Sequence, residues 1–544
     1  MVSTHVNTLR ANWTGIIALI AALTLVMVAA LGSWALGTLP LSMSLPAVGL
    51  LAGAILMVAC GASASKGQNG PSAFSAFAVG LMVAGLLGSV VALLQVFAHG
   101  WADPDLIAPT NSIGRAPGNV RQPNQLASLL LWALVASVAL YELRWLQRAA
   151  LWIAALILIF ALELTSSRMG AVGLLMLFIW GIFDRKLSST SRWLLTATPG
   201  MYGLFYWFMA WYSNAAQSNS LGGRVRGTAA LGLGDVDSRL FVWRNAIDLV
   251  IDQPWSGVGF GEFRLAWILS PLGYRSGQYF DNAHNIILQL AVELGLPIAL
   301  LVISLLLFSF WQALRISRKA EGDVGVVARS SLMLVLAVGM HSMVEYPLWY
   351  AFFLLPTALA WGMCLGSDIE DLPERLSNTA HKAASETERI EWLFIGGLLM
   401  SILGILSLFD YQKVILTYNR PYPNSELAAR LEKLQHSILF AHHADYSIIK
   451  LPPNLSDISV ESMIMARERA MHKSIGTDIM IPWSFRLAKE GDVEGARWLS
   501  QRIREFPSAE TEIFLAPCKE ISSEAFQCQW PEKIHEWREF ASRH

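Results

Sequence analysis

Charged residues are scarce in this sequence: Asp, Glu, Lys and Arg make up 15% of its 544 residues, against 54% hydrophobic residues. Because a soluble protein of this length carries about a quarter charged residues, the composition excludes an ordinary soluble domain. The net charge of −1 creates no overall positive field, so we expect no nucleic-acid partner. The 21 Trp and 24 Phe suit aromatic belts at membrane interfaces. We predict an all-α polytopic membrane protein that is surrounded by membrane lipids.

Cysteine is also rare, with four residues, and common metal-binding motifs are missing. The sequence has no pair of Cys-x-x-Cys motifs and no zinc-type histidine spacing, so we expect no metal site. Cys60 and Cys364 stand at the ends of apolar runs and are expected to be free thiols. An oxidising compartment would permit a disulfide between Cys518 and Cys528; two free thiols are the alternative.

Apolar runs long enough to cross a bilayer predict about eleven or twelve transmembrane helices. The assigned spans are 13–31, 45–60, 73–97, 126–141, 149–164, 171–183, 193–212, 286–314, 330–346, 347–365 and 392–409. The boundary near residue 346 is not fixed by the sequence. The first run lacks a small-residue cleavage site, so we expect a retained helix rather than a signal peptide.

The distribution of Lys and Arg predicts the orientation of these spans. If the N-terminus is cytoplasmic, most basic residues fall in inside loops, and the short outside loops hold only Arg115, Arg121 and Arg168. An odd number of spans then places the C-terminus outside. The predicted parts are N-terminal spans at 1–212, a long outside loop at 213–285, further spans at 286–409, and an outside helical domain at 410–544.

The long outside loop contains a predicted amphipathic helix, which follows a polar run at 213–220 and a glycine-rich stretch. Asp237 or Ser238 caps this helix and Pro254 ends it. Its apolar face carries Leu240, Trp243, Ile247, Val250 and Ile251. We expect this helix to lie on the membrane surface. In the C-terminal domain, 485–498 resembles one tetratricopeptide-like unit, with an ordinary helical hairpin as the alternative.

Polar residues from distant segments gather at one predicted face of the membrane. They are Arg121, Asn124, Gln125, Arg168, Arg239, Arg244, His284, Asn285, His341, Glu345 and Tyr346. Ionisable groups at a membrane boundary cost free energy, so a functional site is the default interpretation. His341 and Glu345 are spaced to share one helix face, where they could bond to each other or orient an Arg.

The basic residues of this face are all arginines before the C-terminal domain. The planar guanidinium fork binds phosphate more specifically than the point charge of lysine, so this face suits a lipid-linked pyrophosphate. We favour that role for Arg168, which lies in a tight turn. Whether Arg239 or Arg244 is the closer phosphate ligand stays open. Other arginines are expected to reach lipid headgroups, namely Arg115, Arg224, Arg226 and Arg275.

His284, within Asp281-Asn-Ala-His-Asn285, is the candidate general base. A neutral imidazole can accept a proton from an attacking hydroxyl. A structural interface histidine is the alternative, and His341 stays a second candidate base. Glu293 lies about two and a half turns further along the helix and is expected to pair with a buried polar group or an Arg. Gly257-Val-Gly-Phe-Gly261 superficially suggests a nucleotide-binding loop, but it follows no strand and we reject that reading.

Together these motifs resemble the superfamily of bacterial O-antigen ligases, Wzy polymerases and protein O-oligosaccharyltransferases. The matching segments, within about 118–365, are 121–127, 165–168, 238–254, 257–261, 281–285 and 293–295. The segment 341–350, followed by an outside domain, most resembles PglL-type enzymes that modify pilins. The resemblance implies a GT-C-like fold in the bacterial inner membrane, with the active site facing the periplasm.

The resemblance also implies a reaction. An inverting oligosaccharyltransferase would move a glycan from undecaprenyl pyrophosphate to a Ser or Thr of a periplasmic protein such as pilin, without metal or other cofactor. His284 would act as base, Arg168 and either Arg239 or Arg244 would hold the pyrophosphate, and the remaining polar residues of the face would bind substrate. An O-antigen ligase acting on lipid A-core and an O-antigen polymerase are the alternatives. A transporter of the lipid-linked glycan would need polar groups near the midplane, accessible from both sides.

Overall fold

The computed structural model describes most of the chain. The described residues are 2–65, 70–98, 106–110, 115–215, 233–273, 275, 277–367, 379–418, 424–451, 458–520 and 524–543; for 2–12, 213–215, 233–238, 379–394, 424–425 and 542–543 only the backbone is described. The glycine-rich stretch of the long loop, with Arg224 and Arg226, lies outside the described residues, as does most of the polar run. The helix predicted to be capped by Asp237 or Ser238 begins earlier, at Leu233, so neither residue is its cap.

All regular structure in these described segments is helical, which confirms the predicted all-α class. The helices at the predicted spans are α1 (Val2–Ala35), α2 (Leu41–Ala64), α3 (Gly70–Phe97), α4 (Pro123–Glu142), α5 (Arg148–Leu164), α6 (Arg168–Phe183), α7 (Ser189–Ala215), α10 (Ile286–Lys319), α11 (Gly322–Ser342), α12 (Ala351–Gly366) and α13 (Thr379–Tyr418). Between them lie α8 (Leu233–Asp252) and α9 (Phe263–Leu269). The C-terminal segment adds α14 (Asn424–Gln435), α15 (Ala441–Lys450), α16 (Val460–Lys473), α17 (Thr477–Glu490), α18 (Val493–Arg504), α19 (Ala509–Phe514) and α20 (Trp537–Arg543).

Seven of the described helices are long and apolar enough to cross a membrane. They are α1, α2, α3, α4, α10, α11 and the second half of α13, and α6 and α12 are shorter apolar helices. The chain is therefore a multi-pass membrane protein. Nine of the assigned spans lie inside helices, but the pair that meets near residue 346 is displaced. Helix α11 ends at Ser342, and a 3-10 turn spans Pro347–Trp349. Pro347 disfavours helical geometry at the residue before it, so the helix does not continue through this turn.

The helices belong to two units. The first contains 1–21, 54–235 and 305–396, and α4 lies at its centre. Helix α4 is apolar on all sides and most of it is buried, as expected for a helix surrounded by others. The indole N–H of Trp132 donates to the Leu334 carbonyl at 2.9 Å, which joins α4 to α11. Arg329 pairs with Asp184 at 2.9 Å at the end of this bundle where both side chains are largely buried.

The second unit contains 22–53, 236–304 and 397–544. Its core joins the long loop to the C-terminal segment; it includes Val242, Leu249, Trp267, Ala283 and Val292 together with Met480, Leu487, Trp498 and Phe540. The predicted boundaries at 213–285 and 410–544 therefore separate two segments that share one core, because the apolar faces of each cover the other.

The hairpin expected near 485–498 is formed by α17 and α18, which pack together. Gly491, with φ of +96°, ends α17, and the Asp492 side chain accepts the Gly495 N–H at 2.9 Å to cap α18. Cys518 and Cys528 of the same segment are joined by a disulfide. The two remaining cysteines are buried free thiols, as the sequence predicts.

Candidate active site

The loop that carries His284 has an uncommon backbone conformation. His284 adopts φ of +49°, in the left-handed region where few side chains other than Asn, Asp and His occur. Its N–H donates to the Asn282 side chain at 2.9 Å. The half-buried ring stands edge-on to Phe280, with 5.7 Å between ring centroids. Strained backbone of this kind clusters at functional sites, and here it fixes the direction in which the imidazole leaves the chain.

Two side chains hold this loop against the start of α10. The Asn285 side-chain oxygen accepts the N–H groups of Ile287 and Leu288, at 3.0 and 3.1 Å, and so caps the helix. One turn later the Gln289 oxygen accepts the Ala283 N–H at 2.7 Å. A contact between Asn285 and substrate stays a prediction. The side-chain oxygen of Asn285 already accepts the two N–H groups that cap the helix.

The glycine-rich motif Gly257–Gly261 lies against a break in α10. The N–H groups of Val258 and Gly259 donate to the carbonyls of Val292 and Glu293, at 2.7 and 3.1 Å. These carbonyls are available because Gly295, with φ of +73°, interrupts the helix. A Cβ atom added to Gly257 would lie 2.5 Å from the Gly295 nitrogen, so the close approach requires glycine. The motif therefore has a structural part in this unit.

Glu293 is buried within the same arrangement. Its carboxylate accepts hydrogen bonds from the backbone of Gly261 and Phe263 and from the Gln289 side chain. Glu262 lies nearby and is also buried. The expected pairing of Glu293 with a buried polar group is thus met by Gln289, the residue that also bonds to the His284 loop.

Arg239 and Arg244 lie on different faces of α8. The helix face that enters the core carries Val242, Ala246 and Leu249. The opposite, exposed stripe carries Leu240, Ile247 and Ile251. Arg244 is exposed within this stripe, whereas Arg239 is half-buried at the edge of the core face. Trp243 and Val250, which the sequence placed on one apolar face with these three residues, are half-buried beside the exposed stripe. The face that contacts the core was not predicted, because its residues are small or branched and continue the apolar pattern.

In the first unit, the turn before Arg168 begins α6. The Ser167 hydroxyl accepts the Gly170 N–H at 3.1 Å as a helix cap and donates to the Asn124 side chain at 2.7 Å. Ser166 adopts φ of +49°. Arg168 is exposed as the first residue of the helix, where unpaired N–H groups add positive potential to its guanidinium group.

Asn124 connects this turn to the segment after α11. Its amide nitrogen donates to Glu345 at 3.3 Å, while its oxygen accepts from Ser167. His341 is buried and its Nδ1 forms a 2.8 Å hydrogen bond with the Ser128 hydroxyl. Although α11 ends at Ser342, the Glu345 N–H still donates to the His341 carbonyl at 3.0 Å, so the two residues stay one helical turn apart. Both side chains bond to α4, as the predicted common face requires: Glu345 bonds to Asn124 and His341 to Ser128.

The other residues predicted to bind substrate differ in exposure. Arg121 is exposed and adopts φ of +59° just before α4. Gln125 is buried in the first turn of that helix. Tyr346 is half-buried and stacks on Tyr350, with 5.9 Å between ring centroids. The structure therefore leaves Arg121 and Tyr346 accessible, while Gln125 is enclosed by its own helix bundle.

Two arginines expected at lipid headgroups have protein partners. The Arg115 Nε donates to the Thr165 carbonyl at 3.2 Å and so supports the turn before Arg168. Arg275 is buried, where it donates to the Trp267 carbonyl at 2.6 Å and pairs with Glu505. Burial lowers the pKa of Arg275 to about 10, yet Glu505 beside it favours the charged form. The predicted headgroup contact is corrected for Arg275, whose side chain is buried against protein carbonyls and Glu505. For the half-buried Arg115 it stays a prediction.

Sequence reasoning missed the side chains that hold the candidate residues in place. Gln289 holds the His284 loop, Ser167 holds the Arg168 turn, and Ser128 holds His341. Each is a polar residue within or beside an apolar helix, and that signal could have found them. Among the described residues, no group of three or more His, Cys, Asp or Glu could hold a metal ion.

Comparison with known proteins bears on these arrangements. A family model described as O-Antigen ligase matches residues 153–303, which include the Arg168 turn and His284. A model described as Virulence factor membrane-bound polymerase, C-terminal, matches 330–514, and one described as Protein glycosylation ligase matches 116–141. The superfamily resemblance is confirmed.

Two curated relatives come from Acinetobacter baylyi. The chain is 25% identical over 297 residues to a protein named General O-oligosaccharyltransferase. The aligned region covers 52% of this chain and 49% of the relative. It is 27% identical over 270 residues to a protein named ComP-specific O-oligosaccharyltransferase, and that aligned region covers 47% of this chain and 45% of the relative. The match thus spans about half the length of these relatives.

Proposed function

We propose that this protein is an O-linked oligosaccharyltransferase. It transfers a whole glycan from undecaprenyl pyrophosphate to a Ser or Thr hydroxyl of an acceptor protein such as a pilin, and it needs no metal. The observation that carries the proposal is the strained, capped loop that holds His284, since an enzyme of this kind needs a fixed base. The names of the two relatives support the same reaction.

The proposed reaction is a single displacement. The imidazole of His284 accepts the proton of the acceptor hydroxyl, and the oxygen attacks the anomeric carbon of the glycan. A carbon–oxygen bond forms to the acceptor as the bond from that carbon to the pyrophosphate oxygen breaks. The lipid pyrophosphate leaves with the electron pair, and the anomeric configuration is inverted.

Arg168 and Arg239 are the proposed ligands of the leaving pyrophosphate, because fixed positive groups stabilise charge that develops in the transition state. The exposed position of Arg168 at the start of α6 suits an anion. We favour Arg239 over Arg244 because Arg239 is the less exposed of the two, and we give Arg244 a peripheral phosphate contact. Among the remaining residues, we propose Arg121, Asn124, Asn285, Glu345 and Tyr346 as substrate contacts. We propose that Gln125 and His341, which are buried, support the residues that contact substrate.

We place the enzyme in a bacterial inner membrane with its active site facing the periplasm. The inside bias of Lys and Arg in the sequence supports this orientation. The disulfide between Cys518 and Cys528 supports an oxidising compartment for the C-terminal segment.

The direct test uses the purified full-length protein with lipid-linked oligosaccharide and a pilin acceptor, without ATP. We expect glycosylated pilin with the native chain and a rate at least about 100-fold lower with His284→Ala, the usual range for a lost general base. His436→Ala is the matched control, because His436 is an exposed histidine of the C-terminal segment. Normal turnover by His284→Ala would remove His284 as the base.

An O-antigen ligase is the second candidate, because the family model that includes His284 carries that description. The same assay with a lipid A-core acceptor separates the two: transfer to pilin alone supports the protein transferase, and transfer to lipid A-core alone supports the ligase. Extension of the glycan on its lipid would indicate a polymerase. Movement of the lipid-linked glycan across vesicles without any transfer product would indicate a transporter.

A further inference from the structure

The Gly257–Gly261 loop is held on one side by α10 and on its other side by the C-terminal segment. The guanidinium group of Arg538 donates to the Gly257 carbonyl and to the Gln253 side chain, both at 2.8 Å. At the other end of the loop, Nδ1 of His472 bonds to the Glu262 carboxylate at 2.8 Å. Two separate C-terminal helices, α20 and α16, therefore fix the two ends of one glycine loop.

The contact between His472 and Glu262 is enclosed. The Glu262 side chain is 2% exposed and that of His472 is 15% exposed. A buried carboxylate without its partner is costly, so each member of the pair depends on the other. Glu262 immediately precedes α9, whose residues belong to the core that also contains Ala283 of the His284 loop.

A chain of hydrogen bonds leads from this pair to the proposed base. The residues on either side of Glu262, Gly261 and Phe263, donate their N–H groups to the buried Glu293. Gln289 also bonds to Glu293 and accepts the N–H of Ala283, the residue before His284. Displacement of Glu262 would move the donors of Glu293, and Glu293 helps to orient Gln289.

We propose that His472 and Glu262 are a positioning pair through which the C-terminal segment holds the His284 loop in its reactive geometry. Neither residue touches substrate; both act through the loop, as the outer partners of catalytic groups commonly do. This inference rests on the proposed role of His284 as base. It gives the C-terminal segment a part in the chemical step that is separate from any recruitment of the acceptor.

The test compares kcat and the acceptor KM in full-length variants. In His472→Ala the pair is broken, and we expect kcat to fall at least tenfold while the KM for the acceptor stays within twofold. His472→Asn keeps a donor near the position of Nδ1, so it should recover at least a third of the native kcat. His436→Ala, at an exposed histidine of the same segment, is the matched control and should leave both constants unchanged.

A second measurement does not depend on turnover. Diethylpyrocarbonate modifies accessible imidazoles, and peptide mapping reads the rate at His284 separately from the other histidines. We expect at least threefold faster modification of His284 in His472→Ala, with an unchanged rate at His436. If His472→Ala lowers the thermal midpoint by more than about 5 °C, Glu262→Met replaces it. This variant keeps much of the side-chain volume but cannot accept the hydrogen bond from His472, and we expect the same fall in kcat.

Three outcomes would overturn the positioning role: an unchanged kcat, a loss confined to the acceptor KM, or an unchanged reaction rate at His284. Failure of the proposed function looks different. In that case the native chain forms no glycosylated acceptor, or His284→Ala retains native turnover, whatever the His472 variants do.

Discussion

His442 shows how burial of one residue changes the response of the protein to pH. It is buried at the start of α15, 4.5 Å between ring centroids from His443. Burial is the main cause that lowers the pKa of His442 to about 3, and the positive charge of Lys473 lowers it further. In the unfolded chain the imidazole binds a proton near its ordinary pKa of about 6.5. The folded state therefore loses stability as the pH falls from about 6.5 toward 3.

We expect the thermal midpoint of the native protein to fall between pH 7 and pH 5, with His442 accounting for about 2 kcal/mol of the loss. His442→Gln should reduce this dependence on pH, because glutamine does not titrate. Thermal unfolding of the full-length chain at the two pH values is the measurement. His436→Gln serves as the control, and an identical pH dependence in His442→Gln and the native protein would contradict the assignment.

Among elements, α10 depends on the interruption at Gly295. A Cβ atom at this position would lie 2.4 Å from the Trp255 carbonyl oxygen, and the backbone φ of +73° disfavours any side chain. We expect Gly295→Ala to destabilise the protein by more than about 1 kcal/mol and to lower transfer activity, since the break seats the glycine loop beneath Glu293.

Gly80→Ala is the matched control for this element, because nothing lies within 4 Å of a Cβ atom there and Gly80 is in the middle of α3. Alanine should be tolerated at Gly80 and should favour the helix. Thermal unfolding and turnover are measured for both variants. Equal stability of Gly295→Ala and Gly80→Ala would show that the break in α10 has no structural role.

We predict that helix α8 of the long loop lies on the bilayer surface, and its exposed stripe allows a direct test. Its exposed stripe contains Leu240, Ile247 and Ile251, opposite the face that enters the core. A spin label at Ile251 should collide more often with dissolved oxygen, which concentrates in lipid, than with a water-soluble nickel complex. A label at the half-buried Asp248 is the comparison. Greater nickel accessibility at Ile251 would place this stripe in water.

At the scale of the whole molecule, the shared core of the second unit gives a truncation of the C-terminal segment two effects rather than one. Removal of 410–544 is expected to abolish glycosylation of a protein acceptor. It also uncovers Trp267 and Ala283, so the His284 loop would lose its packing in the same variant. We expect the truncated chain to be cut by protease within 239–285, where the native chain is protected; equal protection would mean that the loop folds without its partner segment.

Exposed residues separate recruitment of the acceptor from folding. Trp530 and Ile513 are 69% and 75% exposed in the C-terminal segment, so changing them leaves the core intact. If this surface recruits the acceptor, Trp530→Asp or Ile513→Asp should raise the acceptor KM several-fold with kcat and thermal midpoint unchanged. An unchanged KM in both variants would place recruitment elsewhere.

The sequence by itself determined the helical class and the approximate positions of nearly all the predicted spans, because an apolar run of bilayer length has few other structures available. It also singled out His284 and Arg168, since ionisable residues beside apolar helices are rare. The end of α11 was misplaced although Pro347 marked it, because the apolar run continues past the helix on both sides of the turn.

Only the tertiary structure decided what surrounds these residues. Asn124 bonds to both Ser167 and Glu345, Arg275 pairs with Glu505, and Glu262 pairs with His472. Each contact joins residues that are far apart in the chain or depends on a particular backbone break, so no local pattern of polarity encodes it. The loop and the C-terminal segment became one core for the same reason: two apolar faces are recognisable separately in sequence, but their mutual burial depends on the folded chain.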